Sequence, residues 1–150
     1  MAIWELDLFL VKHGDTTPVL ARDDWNLPPL PKELLDTTRD YLEYAIGKPW
    51  SFAEDWLIFG ADTGNRVDVF ADASGSGEIH ARIDARGNAE EFAVLLSDLA
   101  FKTGCLFFVP ESKAYVEASP RALLTALQSS NAAAFCAAPT EYLSKMENAG

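Results

Sequence analysis

His13 and His80 are the 2 histidines of the chain, and they stand where its residues come nearest to a catalytic arrangement. His13 lies in Lys12-His13-Gly14-Asp15, where a carboxylate two positions on could orient an imidazole for general acid–base work. His80 lies in Glu78–Arg86, EIHARIDAR, the densest cluster of ionisable groups in the chain. Either histidine would need a nucleophile, a metal or a bound phosphate to work on. There is no GxSxG, and both cysteines have apolar surroundings, Cys105 in CLFFV and Cys136 in AAAFCAA. They read as small buried hydrophobes, with a disulfide between them the alternative. HExxH, CxxC and the EF-hand pattern are missing, and Asp62 to Asp68 has the wrong spacing for a calcium loop. Ser74-Gly75-Ser76-Gly77-Glu78 is glycine-rich but joins two strands, whereas a phosphate cradle runs from a strand into a helix. No metal and no cofactor is therefore expected, and the imidazoles read as solvated or hydrogen-bonded rather than catalytic. A small enzyme or ligand-binding domain using His13 and Asp15, or the polar face around His80, is the competing expectation.

What remains is recognition. In a strand, alternate side chains share a face, so Ile79, Ala81, Ile83 and Ala85 point into a core. Glu78, His80, Arg82, Asp84 and Arg86 then form a charged ladder on the other side, with Arg66, Asp68 and Asp72 alongside from the preceding strand. This is either a solvated face of cross-strand ion pairs, each worth under about 1 kcal/mol, or a surface that a partner reads. Two further patches combine acids with an aromatic. One is the Pro-rich stretch 13–30 with Asp15, Asp23, Asp24 and Trp25, whose tryptophan would otherwise tuck under as a satellite core. The other is Trp50, Phe52, Glu54 and Asp55.

The elements that position these groups follow from periodicity. Residues 3–11 alternate as a strand; 13–30, with Pro18, Pro28 and Pro29, reads as irregular loop. Leu34, Leu35, Thr38, Leu42, Ala45 and Ile46 form one helical stripe over 31–46, opened by Pro31 and stopped by Gly47. After a turn at 48–54, strands over 56–61, 66–72 and 78–86 form a meander, the first hairpin turning on Gly64-Asn65 as residues that accept positive φ. Asn88 with Glu91 suggests a capping box for a helix that Gly104 ends. Strands at 105–109 and 114–118 form another hairpin, followed by a helix from Ser119-Pro120, an alanine-rich segment and a short terminal helix. The expectation is one α+β domain over 1–150, in the order β-α-β-β-β-α-β-β-α-α, a mainly antiparallel sheet with helices on one face.

The chain has 150 residues and a net charge of −11, carried wholly by residues 1–100, which hold 19 acids and 8 bases. Such a field repels nucleic acid and anionic membranes and favours a basic partner, or it serves solubility alone. No apolar run approaches the roughly 20 residues that cross a bilayer, and the acid-bearing N-terminus is unlike a signal peptide, so a cytoplasmic location is expected.

WLIFGADTGNRVDVFAD, then EIHARIDARG before a helix, then SSNAAAFCAAPTEYL resembles small bacterial immunity proteins encoded beside secreted toxins. The likeness is one of layout over roughly residues 50–146, and it departs from the pattern in having Ala138-Pro139 where Asp-Pro would stand. It implies a non-catalytic inhibitor that binds a cognate toxin directly. An adaptor subunit, or a homodimer formed through an open sheet edge, is the further alternative.

Overall fold

The computed structural model describes residues 3–14, 19–21 and 24–149. Seven strands form one antiparallel sheet in the order β4-β5-β6-β7-β1-β8-β9. They are β1 (Glu5–Lys12), β4 (Trp50–Ala53), β5 (Trp56–Gly60), β6 (Arg66–Ala71), β7 (Gly77–Asp84), β8 (Cys105–Val109) and β9 (Ala114–Val116). A separate hairpin pairs β2 (Val19–Ala21) with β3 (Asp24–Asn26). The helices are α1 (Lys32–Ala45), α2 (Ala89–Thr103), α3 (Pro120–Gln128), α4 (Asn131–Ala137) and α5 (Pro139–Ala149). The fold is α+β.

β1 lies inside the sheet, between β7 and β8, because both of its faces are apolar enough to be covered. Leu6, Leu8 and Leu10 enter the main core, and Phe9 and Val11 a second one. The main core joins these leucines to Phe59, Val67, Val69, Ile79, Ala81, Ile83 and Phe107 of the sheet. The stripes of α1 (Leu34, Leu35, Leu42), α2 (Phe92, Leu96, Leu99) and α3 (Leu123, Leu127) close it from one side. Each such side chain removed from water contributes about 1.5–3 kcal/mol.

The opposite face is covered in part by a separate arm. There Leu27 and Trp25, from the β2–β3 arm, pack on Phe9, Val11, Leu106 and Phe108. The expected irregular loop over 13–30 thus contains a hairpin, and Leu30 bonds back to Gly77 in both directions at 2.7 and 3.0 Å. Prolines at 28 and 29 follow the hairpin rather than interrupting it.

Other local departures have simple causes. The turn expected at 48–54 includes β4, whose register with β5 shifts between Ser51 and Ala53. The alanine-rich segment forms α4, capped by the Ser130 hydroxyl on Ala133 N–H. Asn88 precedes α2 but makes no side-chain cap bond. In the β5–β6 turn the positive φ falls at Gly60 (111°), not at Gly64-Asn65, since the turn closes earlier, through Ala61 N–H to the Asn65 carbonyl. Asn65 instead accepts from Asp84 N–H at 2.7 Å, fastening the turn to β7.

Candidate recognition face

The sheet face away from the three main helices carries the predicted ladder, and register shows what each residue meets. Arg82 faces Asp7 of β1 on one side and Arg66 of β6 on the other; His80 faces Phe9 and Asp68; Glu78 faces Phe70. Like charges oppose one another at Arg66–Arg82 and at Glu5–Asp84, so each arginine turns along or across the strands to find a carboxylate.

Arg66 and Asp68 are almost fully buried, at 3% and 2% exposure. The guanidinium donates two parallel bonds to the carboxylate, at 2.9 and 2.8 Å, and a third to the Asp62 carbonyl at 3.1 Å. Trp56 Nε1 donates to the same Asp68 carboxylate at 3.0 Å. Asp68, read from sequence as part of a presented face, is therefore an internal acceptor beneath the sheet's tryptophans. Asp84 is likewise covered, at 7% exposure. It accepts from Arg86 through backbone N–H, Nε and Nη2 at 2.8, 3.1 and 2.9 Å. Burial pushes its pKa up, but the bonds from Arg86 outweigh it and hold the carboxyl below the usual range. Arg86 itself stacks over Trp4, 3.9 Å from the ring centroid.

The middle of the ladder is looser. Arg82 lies 3.7 Å from Asp7 and 4.0 Å from Glu5, and its buried Nε makes no hydrogen bond among the described residues. Burial raises the Asp7 pKa, opposed by the charge of Arg82 and then of His80. His80 meets Glu78 at 3.1 Å and is held between rings, edge-on to Phe9 at 4.2 Å and tilted against Phe70 at 5.0 Å. Phe70 in turn stacks on Trp56 at 5.1 Å and 27°. Trp56, Phe70, His80 and Phe9 thus form a row of rings crossing four strands, from β5 to β1.

Sequence reasoning placed His80 and Arg82 here but missed Phe70, Trp56, Phe9 and Asp7. The signal was present in strand phase, since Phe70 shares a side with Asp68, and Phe9 with Asp7. Using it required knowing that β1 pairs with β7.

Where this row approaches the β6–β7 turn, Pro29, Asp55, Phe70, Ala71, Asp72, Gly77 and Glu78 line an open cleft of about 290 Å³. Asp55 and Asp72 are exposed, and both were expected at a partner-binding surface. The Ser74 hydroxyl and backbone N–H bond to the Asp72 carboxylate, holding its pKa below the usual range. Glu54 is exposed beside Asp55 in the β4–β5 turn. Asp55, from the expected Trp50, Phe52, Glu54 and Asp55 patch, therefore lines the same cleft as Asp72 and Glu78 of the ladder, while the Phe52 side chain lies outside what is described. From the third patch, Trp25 is half-buried and edge-on to Phe108 at 4.9 Å, covering the second core rather than standing free. Asp15 and Asp23 lie outside the described residues, and only the backbone of Asp24 is described. His13 is exposed just beyond β1, where its backbone N–H bonds to the Gly104 carbonyl.

Cys105 is buried and Cys136 half-buried, both as free thiols, and burial raises the Cys136 pKa. Among the described residues no group of three or more His, Cys, Asp or Glu is arranged to hold a metal ion. Nor is any described helix long and apolar enough to cross a membrane.

Fold and face together define an α+β protein with a helix-backed antiparallel sheet whose second face is half open and mixes carboxylates with aromatic rings. No protein-family model, curated protein or solved structure matches this chain.

Proposed function

We propose that this protein is a non-catalytic inhibitor of the immunity type, neutralising a cognate bacterial toxin by direct binding. The observation that carries the reading is the half-open sheet face, where half-exposed aromatic rings lie among carboxylates. Binding surfaces concentrate their energy in aromatic anchors and use peripheral charge for specificity and encounter rate. The net charge of −11 favours a toxin surface that is basic where it makes contact. The layout likeness to immunity proteins supports the same reading, which carries with it the proposal that the protein works in the cytoplasm, where such an inhibitor would meet its toxin.

The test is co-expression with the product of the neighbouring open reading frame. Growth should be protected, and the two chains should co-elute as a stoichiometric complex in size-exclusion chromatography. A toxic neighbour that kills equally with and without this protein, and that forms no complex with it, would overturn the proposal.

A further inference from the structure

We infer that the outer surface of the helix layer, on α1 and α2, docks a basic amphipathic helix of a protein partner. This surface lies on the other side of the molecule from the open sheet face, and the inference does not depend on the immunity reading.

Its anchors are the two most exposed large hydrophobic side chains among the described residues, Tyr44 at 90% and Phe101 at 82%. Phe70 and His80 have their rings occupied within the sheet, whereas neither Tyr44 nor Phe101 has a ring, cation or hydrogen-bond contact among the described residues. Both α1 and α3 pack on α2, so α2 keeps only a narrow outer stripe. Val94, Asp98 and Phe101 occupy that stripe at i, i+4 and i+7, and all three are exposed. On α1, Tyr44 stands one turn beyond Tyr41, which closes the seam between the two helices. The Tyr41 hydroxyl donates to the Leu95 carbonyl at 3.4 Å, and the Lys102 ammonium lies 5.7 Å from its ring centroid. Burial raises the Tyr41 pKa, and the nearby charge of Asp98 adds to it. Tyr41 thus ties Tyr44 to the stripe on α2, and the exposed rings belong to one surface.

Charge decides the occupant. Asp40, Glu43, Glu90, Glu91 and Asp98 are exposed on the same two helices, and none has an ion-pair partner among the described residues. Of the bases there, Lys32 and Arg39 are paired with Asp36, and Lys102 lies over Tyr41. A second copy of this chain would set these acids against themselves, so the complementary partner is basic. Backbone donors and acceptors inside the helices are already bonded, and the surface therefore offers no edge to an extended segment. What it accepts is another helix, with apolar residues at i, i+3, i+4 and i+7 seated on Tyr44, Val94 and Phe101 and with lysines or arginines on its flanks.

The probe is a synthetic amphipathic helix with leucines on one face and lysines along its flanks, titrated into the isotopically labelled protein and followed by NMR. One control has glutamate in place of lysine; the other keeps the composition but scatters the leucines around the helix. Shifts should centre on Tyr41, Tyr44, Val94, Asp98 and Phe101, with both controls binding at least about tenfold more weakly. Tyr44→Ser and Phe101→Ser should each weaken the first peptide about tenfold and leave Tm unchanged, because side chains so exposed contribute little to folding. Shifts centred on the open sheet face, or equal binding of the scattered peptide, would overturn the inference. A dimer of the protein alone in light scattering, dissolved by Phe101→Ser, would overturn it by giving the surface to a second copy. Sedimentation with phosphatidylcholine vesicles, lost in the same variant, would overturn it in favour of a lipid surface. The co-expression test of the inhibitor function stands apart from all of these outcomes.

Discussion

At the scale of single residues, the face divides into charges that are spent on structure and charges that are available. Asp68 belongs to the first group. Its removal would strand Arg66 inside the protein without its bidentate partner, and breaking a buried pair this way costs about 3–5 kcal/mol. Asp68→Ala should therefore unfold at much lower denaturant, whereas Arg66→Met with Asp68→Leu should recover most of the loss; urea titration of the three proteins checks this. Asp7 and Asp84 make opposite statements about pH. The Asp7 pKa is raised in the folded state, so its contribution to stability is present below the unfolded value of 3.8 and lost as pH rises through the raised value. Asp7→Asn should be the more stable protein at pH 7, and the difference should close on acidification. The Asp84 pKa is lowered, so its stabilisation is present above 3.8 and lost as pH falls through the lower folded value. Asp84→Asn should be less stable at pH 7, and this gap too should vanish in acid. Thermal melts of the two variants against the parent, from pH 3 to pH 7, separate the signs.

At the scale of elements, alternation and helical stripes made most of the fold legible. EIHARIDAR reads as a strand with Ile79, Ala81 and Ile83 inward, and all three are fully buried in β7. The meander, α1, α2, α3 and the 105–116 hairpin follow from periods of 2 and 3.6 in the same way. Elements with weaker local signals were not legible. β2 and β3 have three residues each, too few for a period, and β4 hides between Pro49 and an irregular register. Of the site, the charged ladder was visible, but not which of its members would be covered. Burial of Asp68 and Asp84 depends on Arg66, Arg86 and Trp56, brought there by pairing that no single strand encodes. The β6–β7 turn offers a test of how tightly the elements fix the cleft. A methyl group added at Gly77 would lie 1.7 Å from the Phe70 carbonyl oxygen, closer than any side chain can approach main chain. Gly77→Ala should destabilise by about 3 kcal/mol or more and disrupt the Leu30 bridge, seen as loss of hydrogen-exchange protection at Leu30 and Gly77.

At the scale of the whole molecule, charge is divided between two regions: residues 1–100 carry the net −11, while residues 101–150 hold 4 acids and 4 bases. The open face is drawn from the acidic part, so a basic partner would be steered toward it from beyond contact range. Association with that partner should slow steeply between about 0.05 and 0.5 M salt, because the Debye length shrinks from well over 10 Å to a few ångströms, while dissociation changes little. Stopped-flow measurement of both rates decides this. The central place of β1 has a different consequence, one in time rather than in space. This strand is made before both of its neighbours, which begin at Gly77 and Cys105, so one of its edges waits for β7 and the other for β8. Until then its run of leucines and Phe9 is bare and open to capture by other chains, and the closing of the sheet is a late, non-local step. Newly made protein is thus most vulnerable to misassembly before residue 105 emerges, and a truncation ending before β8 would leave β1 with one edge permanently unpaired.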